Sequence, residues 1–178
     1  MVFSSTIFLF LFLPITLCTY YLLRDEYRNA FLLCASLLFY FWGEGKYVGI
    51  LILYIIVNFL IGLAIETCVG QHNSRGKRAK LLVATAITFN LGLLVFFKYA
   101  GFIIENINRF AFLGFEPIVF HASHLPIGIS FFSFQAISYI IDVYRRDVKA
   151  QRNIITFSMY KTFFPQLVAG PIVRYRDI

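Results

Sequence analysis

The sequence predicts an all-α membrane protein: a polytopic transmembrane helical bundle of about five spans, with one further segment that is re-entrant. Of its 178 residues, 60% are hydrophobic and 14% are charged, whereas soluble domains average roughly 45–50% apolar and about 25% charged residues. So short a chain cannot hide this apolar excess in one globular core. Its apolar residues also occur in long runs separated by short basic clusters, without the alternation typical of strands.

Five apolar runs are expected to cross the membrane. The second run is short, about 20 Å at about 1.5 Å per residue, so it needs extra length from Tyr27–Asn29 or a locally thinner bilayer. Pro14 is expected to kink the first run, and Gly43–Gly45 ends the second. The expected spans are residues 6–23, 30–42, 47–65, 81–97 and 126–144, within one membrane domain that covers residues 1–178.

Basic residues are concentrated in alternate loops. Loops 24–29, 66–80 and 145–153 together hold ten lysines and arginines, and loops 43–46 and 98–125 hold three. The positive-inside rule therefore places the first group in the cytoplasm and the N-terminus outside. This pattern accounts for the net charge of +7, so we expect membrane lipid and not nucleic acid as the partner of the basic residues.

The loop at residues 98–125 is aromatic but interrupted by Asn, Gly and Pro residues. It is expected to be either an interfacial element or an ordinary connection. His121 and His124 in this loop form an H-x-x-H pair without a Glu between them and without an evident third ligand, so no metal site is expected.

Polar residues form a stripe in the third span. Tyr54, Asn58, Gly62 and Glu66 recur every four residues and share one helix face. Two interpretations are open, a face that packs against other helices and a face that contacts substrate. We favour the packing face, because Gly62 permits close approach and an intramembrane Asn bonds to a neighbouring helix.

The fifth span and the segment after it carry further polar residues. Gln135, Ser138 and Asp142 fall within about 60° of one another on the helix. Asp142 is expected to pair with Arg146. The last segment, 154–173, is apolar but contains Lys161, Pro165, Gln166, Gly170 and Pro171.

Because Pro165 disfavours helix at Phe164 and the Ala169–Pro171 run stops it again, segment 154–173 is predicted to be broken. Broken backbone at membrane depth is tolerated where it is buried in protein or lines a cavity. We therefore expect a re-entrant segment, with a plain kinked span as the alternative.

Two long motifs carry a family resemblance. Residues 125–146 (LPIGISFFSFQAISYIIDVYRR) and 163–174 (FFPQLVAGPIVR) strongly resemble the membrane-bound O-acyltransferase family, and most closely its alginate O-acetyltransferase branch. Residues 1–5, 8–14 and 97–102 are similar to the same branch. The resemblance covers essentially the whole chain, as the N-terminal portion of such a protein.

This resemblance implies a function. It implies transfer of acetyl groups from a cytoplasmic donor, acetyl-CoA, toward an extracytoplasmic polysaccharide such as alginate or another glycan. It also implies a multi-pass protein of the bacterial cytoplasmic (inner) membrane with periplasmic acetyl-transfer partner proteins. The chain itself is expected to bind no cofactor.

A tunnel that brings donor and acceptor together needs polar lining, for which the candidates are Gln135, Ser138, Lys161 and Gln166. Arg145 and Arg146 either attract the phosphates of coenzyme A or serve topology alone.

The chain departs from the family in length. Family members are usually more than twice as long, and their membrane-embedded catalytic His lies in the later half, where no position of this chain matches it. We therefore expect an incomplete fold of the family, from a truncated, frameshifted or split gene, with no catalytic residue of its own and no activity alone. The alternatives are a transporter or channel subunit, which would predict an inverted repeat that is not visible, and a non-catalytic membrane remnant.

Overall fold

The computed structural model describes residues 5–71, 76–109, 118, 125–169 and 175. Within these ranges every regular element is helical and no strand occurs, so the predicted all-α class is confirmed. The first helix, α1, opens as a π-helical stretch (Phe8–Phe12) and continues as an α-helix (Leu13–Leu22). The other helices are α2 (Asp25–Glu44), α3 (Tyr47–Gln71), α4 (Lys77–Arg109), α5 (Ile129–Arg145), α6 (Ile154–Thr162) and α7 (Phe164–Ala169).

The irregularity expected at Pro14 lies just before it. Pro14 lies inside this continuous helix, so its missing N–H removes one helical hydrogen bond to the preceding turn. The π-helical stretch Phe8–Phe12 directly precedes it, and such stretches are a common source of helix distortion.

The second helix is longer than its apolar pattern predicts. It has 20 residues where 30–42 was expected, because the polar stretch 25–29 is helical as well. Asp25 and Glu26 lie in its first turn, where carboxylates interact favourably with the positive end of the helix dipole. Twenty residues extend about 30 Å, enough for the hydrocarbon core of a bilayer. Gly45 ends the helix as expected, with a φ of 56°.

In the described part of the chain, α3 and α4 are the helices long and apolar enough to cross a membrane, and α1 is a shorter apolar helix. With 33 residues, α4 extends about 50 Å. Residues 98–109, expected to be either an interfacial element or an ordinary connection, continue this helix, so the connecting-loop alternative is wrong for them. In the last turn of α4, the Asn108 side chain bonds to Ile118, which lies beyond the helix end. It donates to the Ile118 carbonyl at 2.9 Å and accepts from the Ile118 N–H at 2.8 Å. His121 and His124 lie outside the described residues.

The turn directly after α5 contains a residue with a left-handed backbone conformation. Arg146 has a φ of 68°, and its N–H donates to the Val143 carbonyl at 3.1 Å. The N–H of Asp147 donates to the Asp142 carbonyl at 2.9 Å. These two bonds form a Schellman cap. Asn153 then caps α6, because its side-chain oxygen accepts two backbone N–H groups of the first turn.

Helices α6 and α7 are separated by one residue, Phe163. The break was predicted at Phe164, but Phe164 is the first residue of α7 and Pro165 the second. The position is wrong by one residue because proline fits the first turn of a new helix, where its φ is suitable and no N–H is needed. Residues past Ala169 lie outside the described ranges.

The helices pack around two clusters of buried side chains. The larger one lies where α3, α4, α5 and α6 meet. The smaller one joins Phe8, Phe39 and Phe164, whose ring centres lie 5.5–6.0 Å apart. The Phe164 N–H also donates to Ser36 Oγ at 3.3 Å, which holds α7 against α2. The number of membrane crossings, the single domain and the re-entrant path of residues 154–173 stay predictions.

Candidate functional site

A buried hydrogen-bond network joins α3, α4 and α5. The Tyr54 hydroxyl donates to Asn90 Oδ1 and contacts the Phe132 carbonyl at 2.9 Å. The Asn90 amide donates to Asn58 Oδ1 at 2.9 Å and to the Ala86 carbonyl at 2.7 Å. All three polar side chains are almost completely buried, so these bonds pair groups that would be costly to leave unsatisfied.

The same stripe continues toward the predicted cytoplasmic end of α3. The nearest side-chain atom to Gly62 is in the Tyr139 ring, which packs so closely that an added Cβ would lie 2.8 Å from Cε1. Glu66 accepts the Ala150 N–H at 3.2 Å and lies 4.0 Å from the Arg152 guanidinium. The stripe Tyr54, Asn58, Gly62 and Glu66 is therefore a packing face, as favoured from the sequence.

The connection between α5 and α6 is tied to this framework through Gln151. Its N–H donates to the Tyr139 hydroxyl at 3.0 Å, and its side-chain amide donates to the Tyr175 hydroxyl at 2.9 Å. Burial raises the pKa of Tyr175, and the Gln151 hydrogen bond opposes that rise. The Tyr139 ring is thus held from the α3 side and from the loop side.

Lys161 on α6 is the most unusual residue near this ring. It is 2% exposed, and its Nζ lies 5.0, 5.6 and 5.8 Å from the ring centres of Tyr160, Phe157 and Tyr139. These distances are in the range of cation–π contacts. Among the described residues Nζ has no hydrogen-bond partner, although an ammonium offers three donors. A buried ionisable side chain of this kind is a functional-site candidate in a membrane protein.

The other three predicted lining residues lie in different surroundings. Gln135 is fully buried, and both of its amide atoms lack partners among the described residues. It precedes Tyr139 by one turn, on the same side of α5. Ser138 is half-buried and lines an open groove of about 380 Å³ with Asp142, Arg145 and others.

Gln166 is half-buried on α7, and its amide nitrogen has no partner in the described part of the chain. The structure thus places Lys161 near the Tyr139 ring and Gln135 one turn before Tyr139 on α5, and it sets Ser138 toward a groove. Whether the four line one tunnel stays a prediction.

The two arginines at the corner are placed differently from each other. The Arg146 guanidinium donates to the Val69 carbonyl of α3 at 2.6 Å, so it helps to hold α5 against α3. Arg145 lines the Ser138 groove together with Asp147. This makes Arg145 the better candidate for attracting a phosphate.

Sequence reasoning missed two residues that organise the interior, Asn90 and Tyr139. Asn90 is an amide in the middle of the fourth apolar run, and intramembrane polarity was the signal available. Tyr139 lies in a motif rich in aromatic residues and gave no comparable signal. Within the described ranges no three His, Cys, Asp or Glu residues lie together as metal ligands, and all three histidines are outside those ranges.

Comparison with known proteins identifies relatives. No family model and no solved structure matches the chain. The chain is 45% identical along its whole length to a probable alginate O-acetylase of Pseudomonas syringae pv. tomato, of which it covers 34%. It is 44% identical to the protein of that name from Azotobacter vinelandii, covering 35% of it.

A more distant relative has a different acceptor in its name. The chain is 30% identical along its whole length to a peptidoglycan O-acetyltransferase of Helicobacter pylori, of which it covers 38%. The chain thus spans about a third of the length of the relatives it matches. Over its full length this chain is a homologue of alginate O-acetylases, and the resemblance to the alginate O-acetyltransferase branch of the membrane-bound O-acyltransferases that its two long motifs predict is confirmed.

Proposed function

We propose that this chain is part of a membrane-bound O-acetyltransferase that moves acetyl groups from a cytoplasmic donor toward an extracytoplasmic polysaccharide. The observation that carries the proposal is the similarity along the whole chain to proteins named alginate O-acetylase, at 41–45% identity. The more distant relative is named for O-acetyl transfer to peptidoglycan. The names share one chemistry, the O-acetylation of a glycan.

The interior of the bundle supports a route for a polar group. Gln135 and Lys161 place hydrogen-bonding atoms without described partners beside Tyr139. Polar groups buried at membrane depth usually face protein or water along a functional path. The break between α6 and α7 gives the same region irregular backbone, which membrane proteins tolerate next to protein or a cavity.

The donor in this proposal is acetyl-CoA, bound from the cytoplasmic side. The exposed Arg145 and the other basic residues of loop 145–153 supply positive charge there, which attracts the phosphates of coenzyme A. The protein is multi-pass in the bacterial cytoplasmic (inner) membrane, and its apolar outer faces contact lipid. Periplasmic acetyl-transfer proteins and an alginate-like glycan are the proposed partners on the other side.

A chimera tests the proposal. In Pseudomonas syringae, the matching third of the alginate O-acetylase is replaced by residues 1–178 of this chain, and the O-acetyl content of secreted alginate is measured in a strain that lacks the native protein. We expect the chimera to restore acetylation. The chain alone is expected to give none, because it spans about a third of its relatives' length.

The matched control is a second chimera with the same third from the Azotobacter vinelandii protein, which is 44% identical to this chain. If the control restores acetylation while the first chimera reaches the membrane at the same level and leaves alginate unacetylated, the proposal is wrong. Labelled acetyl-CoA supplied to inside-out vesicles of the working chimera tests the donor, since label must then appear in the glycan.

A further inference from the structure

We infer that the Lys161 ammonium binds the carbonyl oxygen of a short acyl group inside the helix bundle. This inference deepens the proposed function and rests on it. It names the residue that contacts the acyl group, the place of that contact in the bundle, and the size of the group.

The first argument is the state of the donor. Lys161 is 2% exposed, and no described residue accepts a hydrogen bond from its Nζ. The three rings around it contribute cation–π attraction, but a ring face does not replace an oxygen acceptor for a buried ammonium. A buried polar group without a partner among the described residues calls for one from elsewhere, and a bound ligand can supply it.

The second argument concerns the nearby carboxylates, which are engaged elsewhere. Glu66 accepts the Ala150 N–H and lies beside Arg152. Asp25 forms an ion pair with Arg28 at the start of α2. Asp142 lines the groove with Ser138 and Arg145. These three carboxylates therefore contact groups other than Lys161.

The third argument is size. Tyr139, Phe157 and Tyr160 surround Nζ within 6 Å, and the atom is shielded from solvent. Rings this close to Nζ exclude a nucleotide or a sugar ring, so the inferred ligand group has few atoms. The acetyl group has a single oxygen and two carbons, so its carbonyl matches the ammonium and its methyl group matches the aromatic walls.

Position supports the same assignment. Lys161 is the eighth residue of α6, about 10 Å along the helix from Ile154. The helix ends one residue later, at Thr162, directly before the break at Phe163. Gln135, one turn before Tyr139 on α5, is a second buried polar group whose amide has no described partner.

The test uses the acetylating chimera described above with Lys161→Met, which keeps the length and removes the donor. Lys98→Met, at a helix position beside Tyr99, is the matched control. We expect Lys161→Met to raise KM for acetyl-CoA and to lower kcat/KM by about tenfold or more, the usual effect of losing a hydrogen bond to a charged group. The inhibition constant of free coenzyme A, which lacks the acetyl group, should not change.

Thermal unfolding adds a readout that does not need turnover. Removing an unpaired buried charge should leave Tm unchanged or raise it, and acetyl-CoA should stabilise the Lys161→Met protein less than the parent. A lower Tm for Lys161→Met would show a structural ion pair and overturn the inference. Equal loss of free coenzyme A binding would place Lys161 on the nucleotide and overturn it as well.

The two proposals fail separately. A parent chimera that neither acetylates alginate nor is stabilised by acetyl-CoA contradicts the proposed function and with it the inference. A parent that does both, with Lys161→Met and Lys98→Met behaving alike, contradicts the inference alone.

Discussion

Gly62 allows the Tyr139 ring to lie directly against α3. Among the described glycines, it has the closest side-chain neighbour. The ring also meets Phe157 at 5.0 Å and Tyr175 at 5.1 Å between centres, and its hydroxyl accepts the Gln151 N–H. A displacement of Tyr139 would therefore disturb α6 and the connection before it.

Gly62→Ala is expected to destabilise the protein by about 1–3 kcal/mol, as overpacked cores usually do. The added Cβ would lie 2.8 Å from Tyr139 Cε1 and 3.0 Å from the hydroxyl oxygen. Gly92→Ala is the matched control, because its Cβ would meet nothing within 4 Å. Thermal unfolding in detergent measures the difference, and equal midpoints for the two variants would contradict the close contact.

Asn90→Leu is expected to cost about 1–3 kcal/mol, because it leaves the Asn58 carbonyl oxygen without its partner and takes one of two acceptors from the Tyr54 hydroxyl. Asn106→Leu serves as control, since that amide bonds to the Phe102 carbonyl of its own helix. A double-mutant cycle with Tyr54→Phe measures the coupling in the same unfolding assay. Additive effects would mean that the two side chains do not interact.

Whether the role of a residue could be predicted from the sequence depended on whether its contacts lie within its own helix. The spacing of Tyr54, Asn58 and Gly62 defines one face of one helix, so the packing face could be predicted. Helical arithmetic does not say which neighbour covers that face, so Asn90 and Tyr139 were missed as its partners. For the same reason Gln135 and Ser138, only about 60° apart, were expected together, but one is fully buried and the other lines a groove.

The length of α4 is the main finding at the element scale. Lys80 and Lys98 bracket its most apolar part. The two positions are 18 residue steps apart, a rise of about 27 Å, close to the roughly 30 Å of a hydrocarbon core. Lysines at both ends can extend their ammonium groups toward the headgroups. We therefore expect the last eleven residues, 99–109, to lie beyond the lipid on the outer side.

Cysteine labelling checks this placement. In a variant without the three native cysteines, Ile107→Cys should react with a membrane-impermeant thiol reagent in intact cells, and Leu91→Cys should not. The two positions are matched, since Ile107 is 50% and Leu91 39% exposed on the bundle. Protection of both cysteines would mean that the end of α4 stays within the membrane.

The sequence concealed this extension because Glu105, Asn106 and Asn108 resemble a connecting loop. The structure accommodates them in a helix, since Asn106 bonds one turn back and Asn108 bonds to Ile118 beyond the helix end. Helix α2 shows the same effect at its first residues. Apolar periodicity locates the part of a helix that prefers lipid, and it is silent about polar turns that continue the same backbone.

On the scale of the whole molecule, the outer face of the bundle is strongly apolar. Phe10, Leu22 and Trp42 are among many large side chains that stay well exposed. An apolar groove of about 480 Å³ also opens between α1 and α2, lined by residues such as Leu11, Leu38 and Trp42. Exposed apolar surface of this extent is stable in lipid and promotes association in water.

Removal of detergent from a purified sample of the chain should therefore cause aggregation, and transfer into lipid nanodiscs should prevent it. Size-exclusion chromatography distinguishes the two outcomes. A chain that stays monodisperse in water without any amphiphile would contradict the membrane assignment, which rests on composition and on the apolar faces of α3 and α4.

A glycine at position 146 would change the corner after α5 in two opposite ways. It would relieve the left-handed backbone, which costs a residue with a side chain about 1–2 kcal/mol, and it would remove the guanidinium bond to Val69, which contributes about 1–3 kcal/mol. The two changes nearly cancel. Arg146 can thus look tolerant to substitution in a stability screen. The cost of its left-handed backbone and the stabilisation from its hydrogen bond to α3 offset each other.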